Sequence, residues 1–136
     1  MKNVLVLCTG NSCRSIIAEA LINALAAGKY FARSAGSEPV GYVHPKSIEI
    51  LRRHGISAEL LHSKSWNELR GVHFDIVISV CEQNENNPCP IFFGNHKKLN
   101  WNTPDPDKVE GTINEIDIAF ENTFTSLKKK IERELL

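Results

Sequence analysis

Two short apolar runs without polar alternation, Asn3 to Cys8 and Phe74 to Cys81, constrain this chain more than any other feature. A strand with one wet face alternates apolar and polar residues, whereas a strand covered on both faces does not. Such strands belong in a parallel sheet sandwiched between other layers. Between and after them the text turns helical. Ser15 to Gly28 reads S-I-I-A-E-A-L-I-N-A-L-A-A-G, with Ser15 at the N-cap position and Gly28 as the stop. Tyr30 to Ala35 reads as a strand, and His44-Pro45 opens a helix through Ile48 and Leu51 to Gly55, with proline in its first turn. Leu99 to Trp101 is a weaker strand. From Thr112 onward, Ile116, Phe120, Phe124, Leu127, Ile131 and Leu135 recur every three or four residues, the stripe of an amphipathic helix. Strand–helix alternation predicts an α/β fold: a parallel sheet, right-handed crossovers, and helices on both faces. Ligands of such sheets bind beyond the carboxyl ends of the strands. Both buried runs deliver a cysteine to that edge.

Composition narrows the function classes. The 136 residues form a single domain, 1–136, by the usual size prior, and 42% hydrophobic with 24% charged residues excludes disordered and coiled-coil chains. Lys+Arg and Asp+Glu both total 16, so no basic excess exists to attract nucleic acid or an acidic membrane. Lys128 to Lys130 fall in the later turns of the last helix, where positive charge complements the dipole, and read as a solvated face. No apolar run is long enough to span a bilayer, and the first residues lack the apolar core of a secretory signal. Four cysteines then suggest reduced thiols used for chemistry, with the cytosol as the expected compartment.

The segment Cys8-Thr9-Gly10-Asn11-Ser12-Cys13-Arg14-Ser15 joins the first strand to the first helix. A loop there can turn its backbone N–H groups inward as an anion nest, and the helix N-terminus adds partial positive charge. Gly10 and Asn11 are residue types that accept left-handed backbone. Arg14 can clamp a tetrahedral oxyanion with two parallel bonds, which lysine cannot. Cys8 would lie beneath the bound anion, where dipole and guanidinium favour the nucleophilic thiolate. Ser15 could donate to that sulfur as well as cap the helix. Cys13 reads as a small packing residue. The blander reading is a strand-to-helix turn with a buried cysteine and a surface arginine, for which this octad is too particular. Thr103-Pro104-Asp105-Pro106-Asp107 is a loop stiffened by two prolines that could hold a carboxyl over a pocket, or simply a turn with capping aspartates.

C-T-G-N-S-C-R-S, followed by Ala18-Glu19 in the first helix, resembles the phosphate-binding loop of the low-molecular-weight protein tyrosine phosphatase superfamily, and within it the arsenate reductases. The resemblance extends over Ser34-Ala35-Gly36, Ser63-Lys64-Ser65-Trp66, Asp75 to Cys89, and Trp101 to Thr112. It implies a three-layer, four-stranded parallel sheet in flavodoxin-like order 2-1-3-4. It implies Cys8 as nucleophile and Asp105 as general acid. Thr9, Gly10, Asn11, Ser12, Cys13 and Arg14 would bind the oxyanion, with Ser15 assisting the nucleophile. Thr9, Ser12, and Ile16 in place of a proline after Ser15 resemble the reductase branch. So does the absence of an aromatic residue after Asp105-Pro106.

Reduction of arsenate needs two electrons and therefore further thiols. By resemblance to the thioredoxin-coupled reductases, Cys81 would attack Cys8 and Cys89 would attack Cys81, carrying a disulfide outward to thioredoxin, or to glutaredoxin with glutathione. Strands about 4.8 Å apart match the roughly 5.5 Å between Cα atoms across a disulfide, so a strand ending in Cys81 beside the first would suffice. Were the Cys81–Cys89 segment helical, its ends would lie roughly 12 Å apart, beyond the ~7 Å limit. It must be irregular or unwind, and its three asparagines and Pro88 favour that. Two alternatives stay open: a low-molecular-weight protein tyrosine phosphatase in which Cys81 and Cys89 are inert, and a non-catalytic oxyanion- or zinc-binding module. The C-x4-C and C-x7-C spacings fit zinc poorly, and the five histidines are scattered without an i, i+4 pair. In some reductases of the family, residues matching Asn11, Glu19 and Ser34 join a later carboxylate in a potassium site. Here Lys64 stands at that later position, and its ammonium would replace the cation. No metal or cofactor is expected, and the chain is expected to act as a monomer.

Overall fold

The computed structural model describes residues 1–82 and 91–136. Four strands, β1 (Lys2–Cys8), β2 (Tyr30–Gly36), β3 (Ile76–Ser79) and β4 (Lys97–Asn100), form one sheet in the order β2-β1-β3-β4, every pairing parallel. Three helices accompany them: α1 (Arg14–Leu25), α2 (Pro45–Arg53) and α3 (Ile113–Glu134). Short 3-10 turns cover Trp66–Leu69 and Pro106–Lys108. The parallel α/β class and the strand order are those expected from the sequence.

The central strand shows why its text did not alternate. Val4, Val6 and Cys8 face α1, α2 and α3, in a core with Ile17, Leu21, Leu51, Phe120, Phe124 and Leu127. Leu5 and Leu7 face the other way, with Val77, Leu69 and Phe74. Fully burying each such side chain stabilises the fold by about 1.5–3 kcal/mol. Helices on both faces are expected from the strand–helix alternation, but among the described residues the α-helices all gather on the first face. The second is covered, among the described residues, by the Trp66–Leu69 turn together with Phe74, Val72 and Phe92. No helix among the described residues is long and apolar enough to cross a membrane.

Three boundaries differ from expectation. Helix α1 begins at Arg14, and its N-cap residue is Cys13, which makes no side-chain cap bond. Ser15 therefore sits inside the first turn, its hydroxyl engaged elsewhere, and is not the cap. Strand β3 covers Ile76–Ser79 rather than Phe74 to Cys81. Phe74 turns into the second-face cluster, while Asp75 ties the strand's start to Asn3 through both its N–H and its carboxylate. Beyond its other end, Val80 N–H still donates to Leu7 C=O (2.9 Å), so Cys81 lies just past the ladder. Strand β4 covers Lys97–Asn100, ending before Trp101, whose N–H continues the ladder to Ser79 C=O (2.7 Å).

Candidate active site

The loop from Cys8 to Arg14 stands at the carboxyl edge of β1, with the backbone N–H of Asn11 3.1 Å from Cys8 Sγ. Asn11 adopts φ +50°, the left-handed conformation the turn needs. Gly10 does not, so the expectation that both residues would supply it is corrected to Asn11 alone. The Asn11 amide donates to Ser15 Oγ (2.8 Å) and Ser34 Oγ (3.0 Å). Ser15 Oγ lies 2.9 Å from Cys8 Sγ. Since Ser15 already accepts from Asn11, its own proton is left for the sulfur. Two donors thus converge on Cys8, the arrangement that suits a thiolate acceptor.

The loop is pinned from outside. Its carbonyls at Thr9, Gly10 and Ser12 accept from the backbone N–H groups of Glu38, Val40 and His44 (3.0–3.1 Å). Ser63 Oγ and Ser47 Oγ add bonds to Gly10 C=O and Ser12 C=O. Carbonyls held outward are the condition for amides turned inward. Gly36, paired with Cys8 across β1 and β2, passes so close that a Cβ there would press into the Thr9 carbonyl oxygen. That explains the glycine without appeal to its backbone freedom. Cys13 is buried in the helical-face core, and burial pushes its thiol up to about 12, so it remains a protonated packing group.

Across the loop, Arg14 Nη1 donates to Thr103 C=O (3.1 Å) and Nη2 lies 3.6 Å from Asp105 Oδ2. Asp105 caps the Pro106–Lys108 turn, with Oδ1 accepting from Asp107 N–H (3.0 Å). Cys8, Arg14, Ser15 and Asp105 are therefore brought together. Cys81 is buried at the end of the strand next to β1, with Sγ 3.2 Å from Ser79 Oγ. Cys89 and the asparagine-rich segment around it lie outside the described residues, and no disulfide joins the described cysteines.

Behind the loop a buried chain runs onward from Asn11. Ser34 Oγ donates to Glu19 Oε1 (2.7 Å), Lys64 Nζ lies 3.8 Å from the same oxygen, and Lys64 N–H donates to Asn11 Oδ1 (2.9 Å). This arrangement does not fit a potassium ion. The oxygens that would ligate it are engaged with one another, and an ammonium already stands beside the acid. Burial raises the Glu19 carboxyl above its ordinary value, against the opposing Ser34 hydrogen bond and the more distant Lys64 charge. The folded state thus keeps this proton to higher pH than the unfolded chain. The associated stability is present in full below the ordinary carboxyl value of 4.5 and is lost as pH rises through the folded value. The urea midpoint should therefore decline as pH climbs out of that range, and Glu19→Gln should flatten the decline. Parallel pH profiles for the two proteins would show that burial of Glu19 has no such consequence.

In the sequence His44 reads only as a helix opener, and Asp107 as part of the two-proline loop. In the structure His44 Nε2 lies 3.0 Å from Asp107 Oδ1, beside the loop that carries Asp105. The only textual hint was the position of His44 directly before Pro45.

Known proteins resemble this chain over most of its length. The family described as low molecular weight phosphotyrosine protein phosphatase matches residues 3–135. A protein named arsenate reductase 2 from Staphylococcus haemolyticus is 34% identical over 134 residues, covering 91% of this chain and 97% of its own. A solved structure described as an arsenate reductase in the phosphate binding state superposes with a TM-score of 0.79 at 28% identity, covering 98% of this chain and 95% of its own. A thioredoxin-dependent arsenate reductase from Corynebacterium glutamicum is 30% identical with a TM-score of 0.64, covering 98% of this chain and 63% of its own. With the family matched over nearly the whole chain and the expected strand order present, the chain belongs to the low-molecular-weight phosphotyrosine protein phosphatase family.

Proposed function

We propose that this protein reduces arsenate to arsenite through a cysteine relay. The observation that carries the reading is the convergence of Asn11 N–H and Ser15 O–H on Cys8 Sγ, with Arg14 and Asp105 joined across the same loop. The placing of Cys81 just past the end of β3, the strand paired with the one that ends in Cys8, supports the redox branch of the family over simple ester hydrolysis. The names of the S. haemolyticus and C. glutamicum relatives support arsenate as substrate and thioredoxin as the first reductant to test, ahead of glutaredoxin with glutathione.

In the proposed sequence, loop amides from Thr9 to Cys13 and the Arg14 guanidinium hold the oxyanion. Cys8 thiolate attacks arsenic, and an As–O bond breaks as Asp105 gives the leaving hydroxyl a proton, releasing water. Cys81 thiolate then attacks Cys8 Sγ. The S–As bond breaks with its electron pair remaining on arsenic, which departs as arsenite, while Cys8 and Cys81 become a disulfide. Cys89 attacks Cys81, Cys8 leaves as thiolate, and an external dithiol reduces the Cys81–Cys89 bond.

The test is mass spectrometry of alkylation-trapped protein after one arsenate turnover without reductant. The wild type should yield a peptide cross-linked at Cys81–Cys89, and Cys89→Ser should stop at Cys8–Cys81. Cys81→Ser should form neither. Absence of both cross-links, with aryl phosphate hydrolysis unaffected in Cys81→Ser, would make the protein an ester hydrolase.

A further inference from the structure

We propose that His44 is a positioning residue for the acid loop, acting on Asp105 through Asp107; this rests on Asp105 being the acid, as proposed above. His44 is the N-cap of α2, and its Nδ1 accepts from the Lys46 backbone N–H at 3.0 Å. A backbone N–H can only donate, so Nδ1 carries no proton and the ring proton resides on Nε2. Nε2 stands 3.0 Å from Asp107 Oδ1 and therefore donates to it. The helix cap thus selects the tautomer that can reach the acid loop.

His44 is held at two other points. Its own backbone N–H donates to Ser12 C=O of the anion loop (3.1 Å), and its face lies against Phe120 of α3, with centroids 5.0 Å apart. Helix α2 is anchored to the same loop by Ser47 Oγ on Ser12 C=O. On the other side of the bridge, the backbone N–H of Asp107 holds Asp105 Oδ1 while Arg14 faces Oδ2. His44 therefore connects the floor of the site to the residue that orients the acid. Its grip on the Asp107 side chain sets where the Asp107 amide, and with it the Asp105 carboxyl, sits beside Arg14.

A helix cap alone would need nothing at Nε2, so the test separates the two roles. His44→Asn keeps an oxygen to cap α2 but is too short to reach Asp107. Asp107→Ala removes the acceptor, and Asp107→Asn keeps an amide oxygen that still accepts the Nε2 proton. Single-turnover arsenite formation is measured across arsenate concentrations for these variants and for His44→Asn/Asp107→Ala. Amide hydrogen exchange at Asp107 and Lys108 is followed alongside. The maximal rate should fall about tenfold in His44→Asn and in Asp107→Ala, a fraction of what a general acid supplies. Half-saturation should stay close to wild type, the double variant should be no slower than the slower single, and both amides should exchange faster. Asp107→Asn should recover most of the lost rate. Wild-type rate and exchange in Asp107→Ala would overturn the proposal, as would Asp107→Asn falling as far as Asp107→Ala. Should the wild type itself turn over no arsenate, the functional reading fails, while the exchange rates alone still decide whether His44 holds the loop.

Discussion

Cys8→Ser should abolish arsenite formation, by more than about a thousandfold, while leaving the fold and oxyanion binding intact. The substitution changes one atom at a buried position whose neighbours, Asn11 N–H and Ser15 Oγ, hydrogen-bond oxygen as readily as sulfur. Serine at this place has no accessible anion near neutral pH and cannot be oxidised to a disulfide, so it fails both as nucleophile and as electron donor. The check is arsenite release with thioredoxin present, together with a thermal midpoint and phosphate protection of that midpoint. Arsenite release near the wild-type rate would move the chemistry away from this loop altogether.

Arg14→Lys should lower kcat/KM by about a hundredfold, or about 2.7 kcal/mol of transition-state stabilisation. Charge is conserved in this variant and geometry is not. The guanidinium is almost wholly buried and divides its donors, one nitrogen on Thr103 C=O and the other facing Asp105 Oδ2. A lysine ammonium is a single point of charge and cannot make both contacts while presenting a planar fork to an oxyanion. Loss of the Thr103 bond also loosens the start of the acid loop, so kcat should fall along with affinity. A decrease of only a few-fold would mean that the loop uses this position for its charge alone.

Much of this architecture was legible in the text. The two unalternating runs became the inner strands β1 and β3, buried on both faces, and each leads to a cysteine at the same edge. The octad from Cys8 to Ser15 forms the turn between β1 and α1, and the two-proline loop holds Asp105 beside Arg14. What escaped the reading depended on tertiary partners. Ser15 has the chemistry of an N-cap, but Cys8 and Asn11 engage its hydroxyl, so the cap of α1 falls two residues earlier, on Cys13, with no side-chain bond. The stripe of α3 fixes which of its sides is apolar, not which sheet face it covers, and the three α-helices among the described residues lie on one. The His44–Asp107 bridge joins residues far apart in sequence, and neither carries a local pattern that announces the other.

The outward pinning of the Thr9, Gly10 and Ser12 carbonyls means that the cradle exists before any guest arrives. A preformed cavity demands little ordering on association, and it responds to tetrahedral shape and negative charge, which arsenate and phosphate share. Discrimination between the two then falls to the chemistry that follows. Thiols can draw arsenic(V) down to arsenic(III) but leave phosphorus at its oxidation state, so under the proposed relay phosphate in the same cradle would be a competitor that is not consumed.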